Sequence, residues 1–264
     1  FSVGANIGMV LMAAQMGNWD MLDEMIARLQ NAGTRMKYCK KPVVTAPYGM
    51  ALGGGCEISI HGTRIQASAE LYMGLVEIGV GVLPAGGGCK ELVCRLLQGM
   101  PADMKGCSRM PYLQKAFENI ATAKVSTSAE MARSLGYLRP QDGVSLSRDR
   151  QLYDAKQVAL GLWRAGYRPP PPPDWLIMPG PDGAALFLAG LEQFGAGGFA
   201  TPHDVVAGKQ IAKVLTGGNC RPGTAVTEQY LLDLEKEGFL FLMGTKGTQD
   251  RIEHMLKTGK PLRN

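Results

Sequence analysis

The sequence is poor in the residues that mark metal centres and disulfide scaffolds. Its three histidines and six cysteines (39, 56, 89, 94, 107 and 220) include no C-x-x-C and no cysteine–histidine pairing at metal-ligand spacing. The cysteines therefore read as reduced thiols, mostly buried, in a cytoplasmic protein. No apolar run reaches the roughly 18 residues that a membrane span needs. The opening Phe1-Ser2-Val3-Gly4 lacks the basic n-region of a signal peptide. It also lacks an initiator methionine, so the chain reads as a piece of something longer. There is no dense basic stripe and no aromatic platform: 28 Lys+Arg oppose 23 Asp+Glu, scattered except at Lys37, Lys40 and Lys41. That distribution argues against a nucleic-acid surface and still permits a phosphate-bearing small molecule. No strand-linked G-x-G-x-x-G occurs, so the chain is not expected to bind a dinucleotide.

What is present is a chain of 264 residues, 45% hydrophobic and 19% charged, able to bury a sizeable core. Residues 8–38 predict one or two helices, with Gly17-Asn18 a possible break and Asn18 an N-cap. Pro42 to Ala46 reads as a buried strand, Pro47 to Gly55 as a loop, Cys56 to His61 as a helix and Ile65 to Ser68 as a second strand. Strand, glycine-rich loop, helix and strand in succession argue for α/β organisation. A second loop, Gly79 to Gly88, leads into a helix marked by Leu92, Val93, Leu96 and Leu97. Further helices are expected over 116–135, 148–165, 203–215, 226–243 and 248–257. Glu228, Asp233, Glu235 and Glu237 are expected on a polar side. Pro169 to Pro173 forms a stiff spacer or loop edge, and the glycine-dotted stretch 180–198 has no clear period.

Two segments could stabilise a developing oxyanion. One is the turn Phe1 to Asn6. The other is Gly53-Gly54-Gly55, running straight into a helix, where glycines let backbone N–H groups approach a ligand and the helix start favours negative charge. Either alone reads more readily as a bland loop. Glu57 falls in the first turn of that helix, where a surface carboxylate favoured by the helix dipole is the simpler reading. Glu77 lies in the apolar stretch Leu75-Val76-Glu77-Ile78-Gly79-Val80, where burying a carboxylate is costly and raises its pKa, as suits a proton donor. Two carboxyls sharing a pocket tend to split their pKa values into a base and an acid.

Phe1-Ser2-Val3-Gly4-Ala5-Asn6-Ile7 resembles the F-x-x-G-A-D-[IL] segment of the enoyl-CoA hydratase (crotonase) family. The stretch from Lys41-Pro42 through Gly53-Gly54-Gly55-Cys56-Glu57 resembles its K-P-x-[IV]…G-G-G-x-E signature. Leu75 to Gly79 and Leu83-Pro84-Ala85-Gly86-Gly87-Gly88 resemble its P-E-[IV]-x-[IL]-G and P-x-x-G-G blocks, with matching order and the same twenty-residue step between the glutamates. Residues 123–129, 138–140 and 254–264 further resemble the C-terminal hydratase-like region of long bacterial 3-hydroxyacyl-CoA dehydrogenases. The departures are Asn6 for Asp, Val76 for Pro and Ala85 for Gly.

The resemblance implies an α/β fold, a spiral of ββα turns. Residues 1–140 would form a crotonase core lacking its first strands and helix, which would lie upstream of Phe1. Residues 141–264 would be mainly helical, with the Pro-rich loop at 169–173. It implies a thioester carbonyl held by the backbone N–H groups of Ala5 and Gly54, with Glu57 and Glu77 handling a water molecule and the α-proton. Ser2, Val3, Gly4, Gly53, Pro84 and Gly86 would line the acyl-CoA site. The implied reaction is hydration of a trans-2-enoyl-CoA in fatty-acid β-oxidation. Isomerisation through the same enolate and a non-catalytic acyl-CoA-binding module stand as alternatives. Coenzyme A enters only as part of the substrate, NAD is expected only on an upstream dehydrogenase portion, and neither nucleic acid nor membrane is an expected partner. A homo-oligomer is expected.

Among lesser candidates, His61 reads as a packing or capping residue, and His203 and His254 are not expected in catalysis. Lys37, Lys40 and Lys41 read as a solvated face, or as contacts to CoA phosphates. Lys257 and Lys260 could approach the nucleotide end. Trp19, Trp163 and Trp175 read as core or interface residues, and the methionines from Met9 to Met36 as core.

Overall fold

The computed structural model describes residues 1–100, 108–173 and 175–264. Helix α1 (Ile7–Gln15) starts at Asn6, whose side chain accepts hydrogen bonds from the N–H groups of Gly8 and Met9. Asn6 thus caps the helix as an aspartate would. Asn18 caps α2 (Trp19–Lys37) by accepting from Met21 N, and Gly17 at φ +68° makes the break between the two helices. Leu22 and Ile26 bury one side of α2, with Asp20 in its first turn and Arg35 and Lys37 in its last, the charge order that a helix dipole favours.

Strands β1 (Val44–Thr45) and β2 (Gly49–Leu52) follow, then α3 (Gly54–Ile60), β3 (Arg64–Ser68) and β4 (Leu71–Gly74). β1 and β3 pair in parallel, as do β2 and β4, with Val44 opposite Arg64 and Gly49 opposite Leu71. Parallel pairing requires crossovers, and α3 supplies one. Two expectations are corrected here. Gly49 to Leu52 is a strand rather than loop, because the backbone of β4 and the bridge of Ser2 to Ala51 supply its ladder partners. Helix α3 begins two residues earlier than Cys56, at Gly54, and β4 was not expected at all.

A single 3₁₀ turn over Glu77–Val80 leads to α4 (Gly88–Leu97), which is buried on nearly every side. Beyond it come α5 (Met110–Ala121), α6 (Ala129–Leu135), β5 (Gly143–Ser145), which joins β3 in parallel, and α7 (Gln151–Arg164). The Pro-rich stretch 169–173 has no regular structure. Then follow β6 (Ile177–Met178), α8 (Gly180–Ala196), α9 (Pro202–Thr216), β7 (Thr224–Ala225), α10 (Glu228–Met243) and α11 (Lys246–Thr258). α8 forms despite its glycines because Phe187 and Leu191 pack it down. Phe187 stacks on Phe117 at 4.8 Å, and a Cβ on Gly208 of α9 would strike Leu191. A Thr201–Asp204 capping box with Pro202 starts α9, and left-handed Gly259 ends α11.

The core runs through Leu22, Ile60, Ile65, Leu71, Met73, Leu75, Leu83 and Leu92, and continues into α9 and α10 through Ile211, Leu231 and Leu242. Cys56, Cys89 and Cys94 are buried free thiols, and Cys39 and Cys220 are half-buried ones. Cys107 lies outside the described residues. Trp19 and Trp163 are exposed rather than in the core, and Met9, Met12, Met16 and Met21 also face outward. Among the described residues no helix is long and apolar enough to cross a membrane.

Candidate active site

The site grows from the junction of β2 and α3. Gly53 sits at φ +54°, a conformation that favours glycine, and its N–H closes the β2–β4 ladder by donating to Gly74 O at 2.9 Å. Gly54 opens α3, so its N–H has no carbonyl one turn back. Alongside runs the Phe1–Asn6 segment, which is extended rather than a tight turn. Ser2 N donates to Met50 O, and Leu52 N donates to Ser2 O. Gly4, at φ +100°, then turns the chain so that Ala5 N lies 3.9 Å from where a Cβ on Gly54 would stand. Among the described residues neither the Ala5 N–H nor the Gly54 N–H donates a hydrogen bond.

Glu57, one turn into α3, is 3% exposed. The surface reading of this residue is therefore wrong: α4 covers it. Its Oε1 accepts from Gly86 N at 2.8 Å and Gly88 N at 2.9 Å. Its Oε2 lies 3.9 Å from the Cβ position of Gly54. Burial pushes the carboxyl up to about 7, while the two N–H bonds and the Lys90 ammonium hold it from rising further.

Glu77 reaches the same place from the 3₁₀ turn. Its main chain is partly exposed, yet both carboxyl oxygens are closed to solvent and neither has a hydrogen-bond partner. Oε1 lies 3.2 Å from the Cβ position of Gly53. Burial, and next the charge on Glu57, push this carboxyl well above the usual range. An unpartnered buried carboxyl costs stability unless a ligand or proton satisfies it. The structure thus brings Glu57, Glu77, Gly53, Gly54, Gly4 and Ala5 to one spot. Pro84 and Gly86 stand behind Glu57, and Val3 is exposed.

Behind the glutamates lies a buried polar chain. His61 Nδ1 is 2.7 Å from Glu57 O, and a carbonyl can only accept, so Nδ1 carries the proton and Nε2 accepts from Lys90 Nζ at 3.0 Å. Burial, then Lys90, lower the ring to about 3, so it is a neutral packing residue. Lys90 and Lys37 both donate to Glu91 Oε2, and Lys37 also bonds Glu228. Lys37 is therefore part of an internal ion network, not a solvated face, whereas Lys40 and Lys41 are exposed. Glu91, Cys94 and Glu228 cluster as metal ligands could, but the Lys37 ammonium already supplies the positive charge between the two carboxylates.

Glu235 was not expected here. It is fully buried on α10, accepting from Gly87 N at 2.8 Å and Lys90 N at 2.6 Å. Its spacing from Leu231, Phe239 and Leu242 places it on the buried face of α10, a signal that its charge obscured. Gln30 joins the same elements, donating to Ala85 O and Leu232 O. Lys257 pairs with Glu253 at the surface, Lys260 is exposed, and His203 bonds Thr248. A separate cleft of about 470 Å³ opens between Arg64, Arg139, Tyr167 and the prolines at 170, 171 and 173, and neither site glutamate lines it.

No model of a known protein family matches the chain. Over all 264 residues it is 46% identical to a protein of Bacillus subtilis (strain 168) described as a probable 3-hydroxyacyl-CoA dehydrogenase, and it covers 33% of that protein. The chain thus spans about a third of that relative's length. Over 134 residues it is 30% identical to a probable enoyl-CoA hydratase of Rhizobium meliloti (strain 1021), covering 51% of this chain and 44% of the relative. Among solved structures, an enoyl-CoA hydratase from Rhodobacter sphaeroides 2.4.1 superposes with a TM-score of 0.62 at 17% identity, covering 99% of this chain and 74% of the other. A carnitinyl-CoA dehydratase from Mycobacterium thermoresistibile gives 0.62 at 15% identity, covering 98% and 73%. The described fold is the one these enzymes share.

Proposed function

We propose that this chain, which belongs to the enoyl-CoA hydratase (crotonase) family, adds water across the double bond of a trans-2-enoyl-CoA as the hydratase part of a 3-hydroxyacyl-CoA dehydrogenase protein. The observation that carries this reading is the convergence of two buried carboxyls, Glu57 and Glu77, on the unbonded N–H groups of Gly54 and Ala5. The two carboxyls differ in the way an acid–base pair must. Glu57 sits at about 7 with two N–H groups and Lys90 favouring its charged form, whereas Glu77 is pushed well above the usual range with no partner, which suits Glu57 as base and Glu77 as acid.

A water held between them gives one proton to Glu57 as its oxygen bonds to C3 of the substrate. The double-bond electrons move onto the thioester oxygen, where the Ala5 and Gly54 N–H groups stabilise the enolate. The enolate collapses as C2 takes the proton of Glu77. One water has then been added, and passage of the proton from Glu57 to Glu77 restores the starting state. Neither step needs a metal or a redox cofactor.

The test is the loss of enoyl-CoA absorbance on the full-length protein. Glu57→Gln and Glu77→Gln should each lower kcat by about 100-fold or more. Unchanged turnover in both variants would end the proposal. Product formed in H₂¹⁸O separates the alternatives, because isomerisation incorporates no solvent oxygen and a binding module gives no product.

A further inference from the structure

The turn that enters α4 offers four N–H groups to two buried carboxylates in alternation. Gly86 and Gly88 donate to Glu57, whereas Gly87 and Lys90 donate to Glu235. Each carboxylate therefore holds the turn against the other. Gly87 at φ +101° points successive N–H groups to opposite sides. The ring of His61 fills the space above it, since a Cβ on Gly87 would stand 2.8 Å from the imidazole. Glu235 is 0% exposed and has no ion-pair partner among the described residues, so what it contributes is its share of the four N–H groups, those of Gly87 and Lys90.

We infer that Glu235 is a positioning residue for the base: it pins the Gly86–Lys90 turn, fixes Oε1 of Glu57 on that turn and so leaves Oε2 alone to face the substrate. This rests on the hydratase reading of Glu57 and extends the site to α10, in the C-terminal half. The charged or titratable groups facing Glu57 are Glu77 from the 3₁₀ turn, Glu235 from α10, Lys90 and Cys89 from α4, and Cys56 and His61 from α3. Burial, and next the charge on Glu57, push the Glu235 carboxyl well above the usual range, so it acts on the turn through its hydrogen bonds and not as a charge opposing Glu57.

The experiment uses Glu235→Ala and Glu235→Gln in the full-length protein, with Glu237→Gln, on the exposed side of α10 and paired to Lys213, as control. Glu235→Ala should lower kcat by about 10- to 100-fold with KM changed less than about threefold, because displacement of a reacting group by an ångström has effects of that size. Glu235→Gln keeps one carbonyl oxygen to accept from the turn, so its kcat should recover to between that of Glu235→Ala and that of wild type. A residue needed only for folding would lower the yield of active protein and leave the kcat of the folded fraction where it was. Hydrogen exchange of the 85–92 amides, which needs no turnover, should speed up in both variants and not in Glu237→Gln. A kcat for Glu235→Ala within twofold of wild type, no recovery in Glu235→Gln, or unaltered exchange would each overturn the proposal. If wild-type protein hydrates no enoyl-CoA, the hydratase reading fails by itself, and the exchange measurement alone decides whether Glu235 pins the turn.

Discussion

At the start of α3, Gly53-Gly54-Gly55 leaves the Gly54 N–H without a partner among the described residues. At the start of α4, Gly86-Gly87-Gly88 commits its N–H groups to Glu57 and Glu235. The two segments share a composition and both open a helix, yet one is receptive to an incoming anion and the other is already filled by the protein's own carboxylates. The difference lies in what stands opposite. Gly54 faces the backbone of Gly4 and Ala5, where Ala5 brings a second donor, and the α4 turn faces carboxyl oxygens that accept. A glycine-rich helix start is thus a site for an outside anion only where the fold supplies no inside one.

The contrast can be broken most sharply at Gly54. A Cβ there would meet only ordinary contacts, Gly4 Cα at 3.5 Å and Ala5 N at 3.9 Å. Gly54→Ala should therefore fold with an unchanged melting temperature, and its methyl group would intrude between the two donors. Its kcat is expected to fall by about 100-fold. A variant with full activity would mean that the substrate oxygen binds elsewhere. The matching change in the filled turn should behave in the opposite way. A Cβ on Gly88 would come within 2.7 Å of Pro84 Cβ and 2.8 Å of Glu57 Oε1. Gly88→Ala should thus lose about 2 kcal/mol of stability in a urea titration, and a variant as stable as wild type would show that the turn can give way.

The third and smallest expected effect concerns pH. The Glu57 carboxyl sits at about 7 in the folded protein against 4.5 for an ordinary glutamate, so between those values the folded state holds the extra proton. Its contribution to stability is whole below about pH 4.5 and is lost as the pH rises through 7. Glu57→Gln should flatten the decline of stability over that window by about 1 kcal/mol per pH unit. A slope identical to wild type would show that the carboxyl is ionised throughout.

The elements legible in the sequence were those whose signals are local. Asn18 and Gly17 mark the break between α1 and α2, and the glycine triplet marks the start of α3. Gly259 marks the end of α11. What stayed hidden depends on partners distant in the chain. Gly49 to Leu52 carries a loop composition and becomes a strand only because Leu71 to Gly74 lies beside it. Glu57 and Glu77 were readable as a pair through their motifs, but the depth of Glu57 depends on α4 closing over it. Lys37 and Glu235 look like surface residues because charge usually means water. Each is buried instead against groups more than 50 residues away, Glu91 for one and the α4 turn for the other.

The bond from Lys90 N to Glu235 joins residues 145 positions apart. A ribosome adding roughly 5–20 residues per second needs about 7 to 30 seconds to make that stretch. Throughout that time the α4 turn has only Glu57 to hold its N–H groups. The growing chain therefore carries both site glutamates long before it can complete the turn behind them. Assembly of the site waits on α10.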